Sequence, residues 1–517
     1  PAEVDERLWR VSNLYLIRDK DRKLRKLKFH KNQERVIQAV IRPALLSGKP
    51  IRNMDLKARQ VGDSTLWLMY YLDDTIFTPN TVSFVVAQKQ ETLGLLWDAV
   101  RLAYEKLPGG VKPHTRQESA RTLAFEATNS TIKVSLSVKS STAHNLHVSE
   151  YALCDPEEIE QTLAACPPWA NVTLETVPDG VNHAYDKWND QADGYTKTLL
   201  PWFFQEEYRL PVVVPLERTE EEAKLAGNVL RTYGMSLDDG QFAFRRHKRK
   251  ELKKLYLEQM VEDDVSCFLA SGAAFFDGAK AKALIEDAKE HLAKYPALVD
   301  DVEWVVWERP QHRHVYVVGA DVAEGVGRDS SSLSVLCFTC KKTAARYTAR
   351  CGVDSFYRTL HKTGTSYNKA LLAPELNNHG HAVVMGLRER NYPNLYRVVK
   401  DNKAVRKPGT KEVIKYGWET TEDSKPPMMD ALKFALEGDS DEDEENFQPS
   451  ILWLDTGFLK ETLAIREEGG RISAVPGKHD DVTMGYAIAW QMYLRERSRL
   501  GFSTLAGVQV GDKLESA

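Results

Sequence analysis

Between Lys57 and Trp188 short apolar runs of strand length alternate with stretches of helical patterning, and this alternation narrows the fold more than any other feature of the chain. "TVSFVVAQ" (Thr81 to Gln88) reads as a strand running into a helix start. "TLAFE" and "TIKVSLSV" flank "ATNS" and read as a hairpin, and "NLHVSE" and "NVTLET" are two further short strands. Such strands are buried only if helices cover a mostly parallel sheet, so the expected class is α/β. From about 195 to 300 amphipathic helices take over, among them "RTEEEAKLAGNVLRTYG" and "DGAKAKALIEDAKEHLAKY". A second α/β region opens at "HVYVVGADVAEG" (His314 to Gly325) and runs to about Leu494. The 517 residues accommodate two or three domains. The expected division is an α/β core over 1–195, a helical subdomain over 196–305, a second α/β domain over 306–495 and a flexible tail over 496–517. Within the third, "GDSDEDEEN" (Gly438 to Asn446) reads as a solvated acidic loop.

Composition excludes little. A net charge of -4, 42% hydrophobic and 28% charged residues are ordinary for a globular protein. No run approaches the ~18 apolar residues of a membrane span, and "PAEVDERLWR" lacks signal-peptide character. Both favour an intracellular chain. Of the six cysteines only "CFTC" (Cys337 to Cys340) has metal-like spacing. It has no second pair nearby, so the cysteines read as reduced core residues rather than zinc ligands. The basic blocks "RDKDRKLRKLKFHK" (Arg18 to Lys31) and "RRHKRKELKK" (Arg245 to Lys254) read first as solvated helix faces and second as DNA-contacting strips.

"LKARQVGDST" (Leu56 to Thr65) has the outline of a phosphate-binding loop, with Asp63 where that loop carries its lysine. An ATPase also needs an acid at the end of a neighbouring strand, a sensor on the next strand and a cation for the γ-phosphate. "LHVSE" supplies Ser149 and Glu150, a hydroxyl for a magnesium shell and a base. "VTLET" supplies Glu175 and Thr176. Glu150 reads equally well as a cap of the helix "DPEEIEQTL". In the second region the apolar run ending in Asp321 leads through a glycine-rich turn to another strand, as RNase H-like nucleases begin. Two-metal phosphodiester hydrolysis needs carboxylates from separate elements around ions ~3.5–4 Å apart. Glu375 in "APELNNHG" and Asp480 and Asp481 in "GKHDDVTMGYAIAW" are the candidates, with Glu324 and Asp329 as possible helpers. The competing readings are a surface acid for Glu375 and a helix cap for "HDD". The helix that "HDD" opens carries Val482, Tyr486, Ala489 and Tyr493 on one face.

Taken together, "KARQVGDST", "LHVSEYA", "TLETVPDGVNHAYDKW", "CFLASGAAFFD", "GADVAEG", "PELNNHG", "YPNLY", "GWETTEDSKPPMM" and "HDDVTMGYAIA" resemble the large terminase subunit of tailed bacteriophages, over most of residues 30–495. The resemblance implies a P-loop ATPase domain with a helical subdomain, followed by an RNase H-like nuclease domain. Some members of that family carry the loop lysine at the loop's start, the place of Lys57. The cation is then Lys57, with Arg59, Gln60 and Gly62 in the loop and Ser64 and Thr65 as hydroxyls for the metal. Asp63 is expected to point outward. Glu175 and Thr176 become the coupling motif, and Gln33 in "FHKNQERVIQ" the adenine contact. Asp321, Glu375 and Asp480 or Asp481 would bind two Mg2+ or Mn2+, beside ATP and Mg2+ at the first site. The implied partners are double-stranded DNA, a small terminase subunit, a portal protein and further copies of the chain in a ring on the procapsid, in the cytoplasm of an infected bacterium and with no membrane involved. The rival readings are a helicase- or resolvase-like enzyme outside packaging, and a DNA-binding scaffold whose ATPase has decayed.

Overall fold

The computed structural model describes residues 2–119, 121–138, 141–269, 273–323, 330–376, 379–400, 413–438, 449–476 and 478–499. Glu324, Asp329, nearly all of the acidic loop and the tail beyond 499 lie outside them. The chain forms two compact units, Pro1–Gly272 and Ala273–Ala517. None of the described helices is long and apolar enough to cross a membrane.

The first unit is built on an eight-stranded sheet. In spatial order the strands are Thr196–Leu200, Arg52–Lys57, Asn171–Thr176, Asn145–Ser149, Val82–Ala87, Ser130–Ser135, Thr122–Phe125 and Thr115–Ser119. The first six run parallel, and the last two turn back antiparallel, the expected hairpin included. The central strands are buried on both faces, which is why they read as continuous apolar runs rather than alternations. Thr196–Leu200 corrects the boundary expected at 195: it pairs with the strand that ends in Lys57, from Thr196↔Asn53 to Leu200↔Lys57. It is an edge strand with alternating burial, and "TKTLL" therefore lacks the apolar signature of its neighbours.

The helices Glu220–Tyr233 and Asp239–Leu252 follow, each opened by a capping box, Thr219 with Glu222 and Asp238 with Gln241. The second basic block lies here, and much of its charge is consumed internally. Arg245 is 2% exposed and pairs with Glu262 and Glu221, each at 2.7 Å. Arg246 pairs with Glu222 and Arg249 with Glu221. The first block, by contrast, is not a helix face. It folds as the hairpin Leu16–Arg18 and Leu24–Lys26, turned by Asp19, whose Oδ1 accepts the Lys23 N–H at 2.7 Å.

The second unit has a six-stranded sheet, in the order Val299–Asp300, Trp304–Val306, Lys342–Ala349, Ser331–Cys337, Tyr316–Asp321 and Leu371–Pro374. Three antiparallel strands in sequence, a crossover helix Val353–Ser366 and a fourth strand parallel to the first make the RNase H-like arrangement. The helix Gly278–Lys294 and the strands at 299–306 also belong to this unit, so the helical stretch expected to run to 305 is divided between the two. Across the sheet lies the helix Asp481–Arg499. It is buried on every side from Val482 to Tyr493 rather than along one stripe, because the helices Lys425–Glu437 and Thr456–Thr462 pack against it as well. Two glycines let it approach the sheet. A Cβ on Gly319 would lie 2.2 Å from the Gly485 carbonyl oxygen, and one on Gly485 2.9 Å from Ser332 Oγ.

Candidate active sites

Parallel strands bring their carboxyl ends to one edge, where loops can shape a ligand site. In the first unit that edge carries Lys57, Ser149, Glu150, Glu175 and Thr176, with Leu56 opposite Thr176 and Ser149 opposite Glu175. The chain leaves Lys57, curls through Gln60 at φ 58° and Gly62 at φ 72°, and enters the helix Asp63–Phe77. Gly62 has no room for a side chain, since His30 Nε2 lies 2.7 Å from where a Cβ would stand. Gln33 is beside the loop and holds it: its Nε2 donates to the Gly62 carbonyl at 2.8 Å and its Oε1 accepts the His30 N–H at 3.3 Å. Arg59 and Gln60 are exposed, and their carbonyls face the Tyr208 hydroxyl at 3.0 and 3.3 Å. Thr65 is half-buried in the first turn.

Lys57 occupies the centre. Its Nζ is 2.6 Å from Glu175 Oε2 and 3.6 Å from Glu150 Oε1, and it donates to Ser64 Oγ at 3.1 Å. Burial alone would lower the affinity of this ammonium for its proton; the Glu175, Glu150 and Asp63 carboxylates outweigh burial and hold it above its ordinary value. Glu175 is the reciprocal case, with burial opposed by Lys57 and His147, which keep it well below the usual carboxylate range. Its Oε1 accepts from Ser149 Oγ at 2.7 Å. Ser149 is thus committed to Glu175. Thr176 Oγ1 accepts the Ala152 N–H at 3.0 Å and ties the neighbouring strand ends together.

Glu150 does not cap the following helix. Asp155 does, accepting the Glu158 N–H at 3.0 Å. Glu150 instead takes a left-handed backbone, φ 56°, that turns its carboxylate toward Lys57 and the Val177 N–H, with about a third of the side chain open to solvent. Asp63 departs from the outward orientation expected of it. It is 1% exposed, and burial followed by the Asp55 and Glu175 charges pushes its carboxyl well above the usual range. Asp55, fully buried and accepting from Trp67 Nε1 at 2.7 Å, is raised to about 7, chiefly by burial. Two facing carboxyls in a dry site cannot both ionise. Burial and the neighbouring Asp55 and Glu175 carboxylates thus disfavour a charge at position 63, where the usual loop carries a lysine. Nothing in the spacing of the sequence flagged Asp55 as its counterpart.

In the second unit Asp321 ends its strand next to Glu375, whose N–H donates to the Ala320 carbonyl at 2.8 Å where the parallel partner strand ends. Glu375 is buried, at 9% exposure, and is not a surface acid. Asp480 and Asp481 come from the start of the long helix. Burial comes first, and the Glu375, Asp481 and Asp480 charges add to it, pushing the Asp321 carboxyl well above its usual value. The four expected acids are thus brought together from three elements. Glu461 adds a further carboxylate at the start of this helix: its Oε1 accepts the Thr483 N–H at 2.8 Å and its pKa rises to about 8, mainly by burial. Asp480 pairs with Lys425 Nζ at 3.2 Å, and Asp481 Oδ2 accepts the Ser330 N–H at 3.1 Å. Sequence reasoning missed Glu461 and Lys425 because each enters from a distant helix without a motif of its own. An all-oxygen, carboxylate-rich donor set fits hard divalent cations such as Mg2+ or Mn2+.

No family model matches the chain, and neither does any curated protein. Among solved structures it is similar to the HK97 bacteriophage large terminase, with a TM-score of 0.49 and 10% identity over 95% of this chain and 99% of that one. The large terminase from the thermophilic bacteriophage D6E gives 0.33 and 12% over 90% and 100%. The large terminase nuclease from the thermophilic phage G20c gives 0.28 and 17% over 38% and 91%. Likenesses this distant transfer no residue's role to this chain.

Proposed function

We propose that the chain is a two-enzyme DNA-packaging protein of the large terminase kind: an ATPase that drives double-stranded viral DNA into a procapsid, and a divalent-metal-dependent endonuclease that cuts concatemeric DNA. The observation that carries the reading is the meeting of Asp321, Glu375, Asp480 and Asp481 from three separate elements, in a chain whose other unit sets Lys57 between Ser64 and Glu150. In the first unit Lys57 holds a γ-phosphate oxygen, the N–H groups opening the helix at Asp63 face the phosphates, and Glu150 takes the proton of the attacking water. Ser64 and Thr65 are the hydroxyls that would hold Mg2+, which screens the phosphate charge when bound. Glu175 and Thr176 register the change because Glu175 shares Lys57 with the phosphate. In the second unit Asp321, Glu375 and Asp480 or Asp481 would hold two Mg2+ or Mn2+, which supply a nucleophile and steady the leaving oxygen. Asp321, whose carboxyl is raised by the charges of the other three acids, would be one of those ligands.

The sequence resemblance extends the reading to a small terminase subunit, a portal protein and a homo-oligomeric ring as partners, in the host cytoplasm. A second reading, a DNA-binding scaffold with a decayed ATPase, draws support from the 2.6 Å Lys57–Glu175 pair, which occupies the cation that a phosphate needs. The nuclease assignment is tested by plasmid cleavage with Mg2+ or Mn2+. The parent cuts, chelator stops it, and Asp321→Ala does not cut. Cutting by Asp321→Ala at the parental rate removes the two-metal assignment.

A further inference from the structure

At the end of the second sheet away from Asp321, four side chains of mixed chemistry converge. Cys337 ends its strand and Cys340 follows in the turn, while Glu308 and His314 come from the segment leading into the strand Tyr316–Asp321. Their ligand atoms all lie within 4.8 Å of one another. His314 Nδ1 is 3.2 Å from Cys340 Sγ and 3.6 Å from Cys337 Sγ. Glu308 Oε1 is 3.7 Å from Cys340 Sγ and 3.8 Å from His314 Nδ1. Zinc held tetrahedrally at ~2.3 Å from sulfur and ~2.0 Å from nitrogen or oxygen sets its ligands roughly 3.3–3.8 Å apart, close to the 3.2–3.8 Å of these four pairs. We propose that Glu308, His314, Cys337 and Cys340 form a structural zinc site.

The surroundings fit that ion. Two thiolates and a carboxylate around a divalent cation leave one net negative charge, and Lys342 Nζ stands 2.6 Å from Glu308 Oε2 to offset it. The Cys340 N–H donates to Cys337 Sγ at 3.2 Å, a bond that supports a thiolate, and the Tyr316 hydroxyl donates to Glu308 Oε1 at 2.8 Å and fixes the carboxylate. Glu308 is 3% exposed and Cys337 is fully buried, with His314 and Cys340 half-buried beside them, so all four side chains are at least partly shielded from solvent. Two sulfurs and an imidazole select a softer ion than the all-carboxylate cluster does. That cluster lies a strand's length away, ~17 Å for six extended residues. The ion therefore staples the segment before the first strand to the turn after the second. The "CFTC" spacing was the visible half of the motif. The other half comes from residues more than twenty positions upstream, in no pattern that marks a zinc site.

The test is metal analysis of the full-length protein expressed with zinc and purified without chelator, followed by cobalt substitution. The expected result is about one zinc per chain and, with cobalt, thiolate-to-metal charge transfer with the visible bands of a tetrahedral site. Cys340→Ser and His314→Ala lose the metal and the bands. Cys351→Ser and Asp321→Ala keep both, which separates this site from the carboxylate cluster. Should the first two variants fail to fold, mercurial modification of the parent must release its zinc as the thiols react. Parent protein without near-stoichiometric zinc, a Cys337–Cys340 disulfide in place of free thiols, or zinc retained by a folded Cys337→Ser/Cys340→Ser double variant overturns the proposal.

Discussion

Lys57 serves two masters: with Glu175 at 2.6 Å and Glu150 at 3.6 Å, a phosphate arriving at the loop competes with carboxylates for one ammonium. Replacing Lys57 leaves the buried Glu175 carboxylate without its ammonium partner, so Glu150 is the cleaner probe. Glu150→Gln keeps shape and fold, since the side chain is partly exposed, and loses the base. Turnover should fall by ~10²–10⁴ with nucleotide binding retained, as read by steady-state rates and fluorescent-nucleotide titration. Turnover within a few-fold of the parent would assign the base elsewhere. Asp55 makes a second residue-scale prediction. Its folded pKa of about 7 lies above its unfolded value near 3.8, so its contribution is complete below the unfolded value and is lost as pH rises through about 7. Parent stability should drop by up to ~4 kcal/mol across that window from this group, and Asp55→Asn should flatten the drop in denaturant melts against pH. A variant profile parallel to the parent's contradicts the buried acid pair. Glu150 and Asp321 were legible in the sequence because each ends an apolar strand-like run, and Lys57 because it stands where the resembling terminase loops carry their lysine. Asp55, whose partner is set only by packing, was not, and the inward turn of Asp63 was missed for the same reason.

Among the elements, the helix Asp481–Arg499 decides whether the second site exists, because it carries Asp480 and Asp481 to Asp321. Its seat depends on Gly319, where a Cβ would meet the Gly485 carbonyl at 2.2 Å and the Ala489 nitrogen at 2.3 Å. Gly319→Ala should cost at least ~1–3 kcal/mol, lower the melting temperature of the second unit and abolish cutting. Gly227→Ala, inside the helix Glu220–Tyr233 with nothing within 4 Å of the new Cβ, should instead stabilise by ~0.5–1 kcal/mol. Equal, small effects of the two substitutions in thermal melts would mean that the helix has room to spare. The strands at 82–87, 145–149, 171–176 and 316–321 were legible because burial on both faces, or an acid at the end, marks them. The edge strand Thr196–Leu200 and the hairpin at 16–26 were not, since their alternating or exposed residues look like linker and helix face.

At the scale of the whole chain, the two proposed active sites lie in separate compact units and should fail separately. Asp321→Ala should stop cutting and leave ATP turnover intact, and Glu150→Gln should do the reverse; loss of both activities in either variant would argue against independent sites. The α/β class and the order of the two units were readable from the strand–helix alternation and the spacing of motifs. The boundary between them was not, because helices and edge strands on either side of residue 272 share one amphipathic pattern and only tertiary packing assigns them. Whether a loop with aspartate at position 63 supports catalysis through Lys57 is decided by steady-state ATP turnover of the full chain with and without double-stranded DNA. Turnover should depend on magnesium, rise with DNA, fall to background in Glu150→Gln and persist in Asp321→Ala. Parent turnover no higher than that of Glu150→Gln, with or without DNA, would contradict catalysis through Lys57.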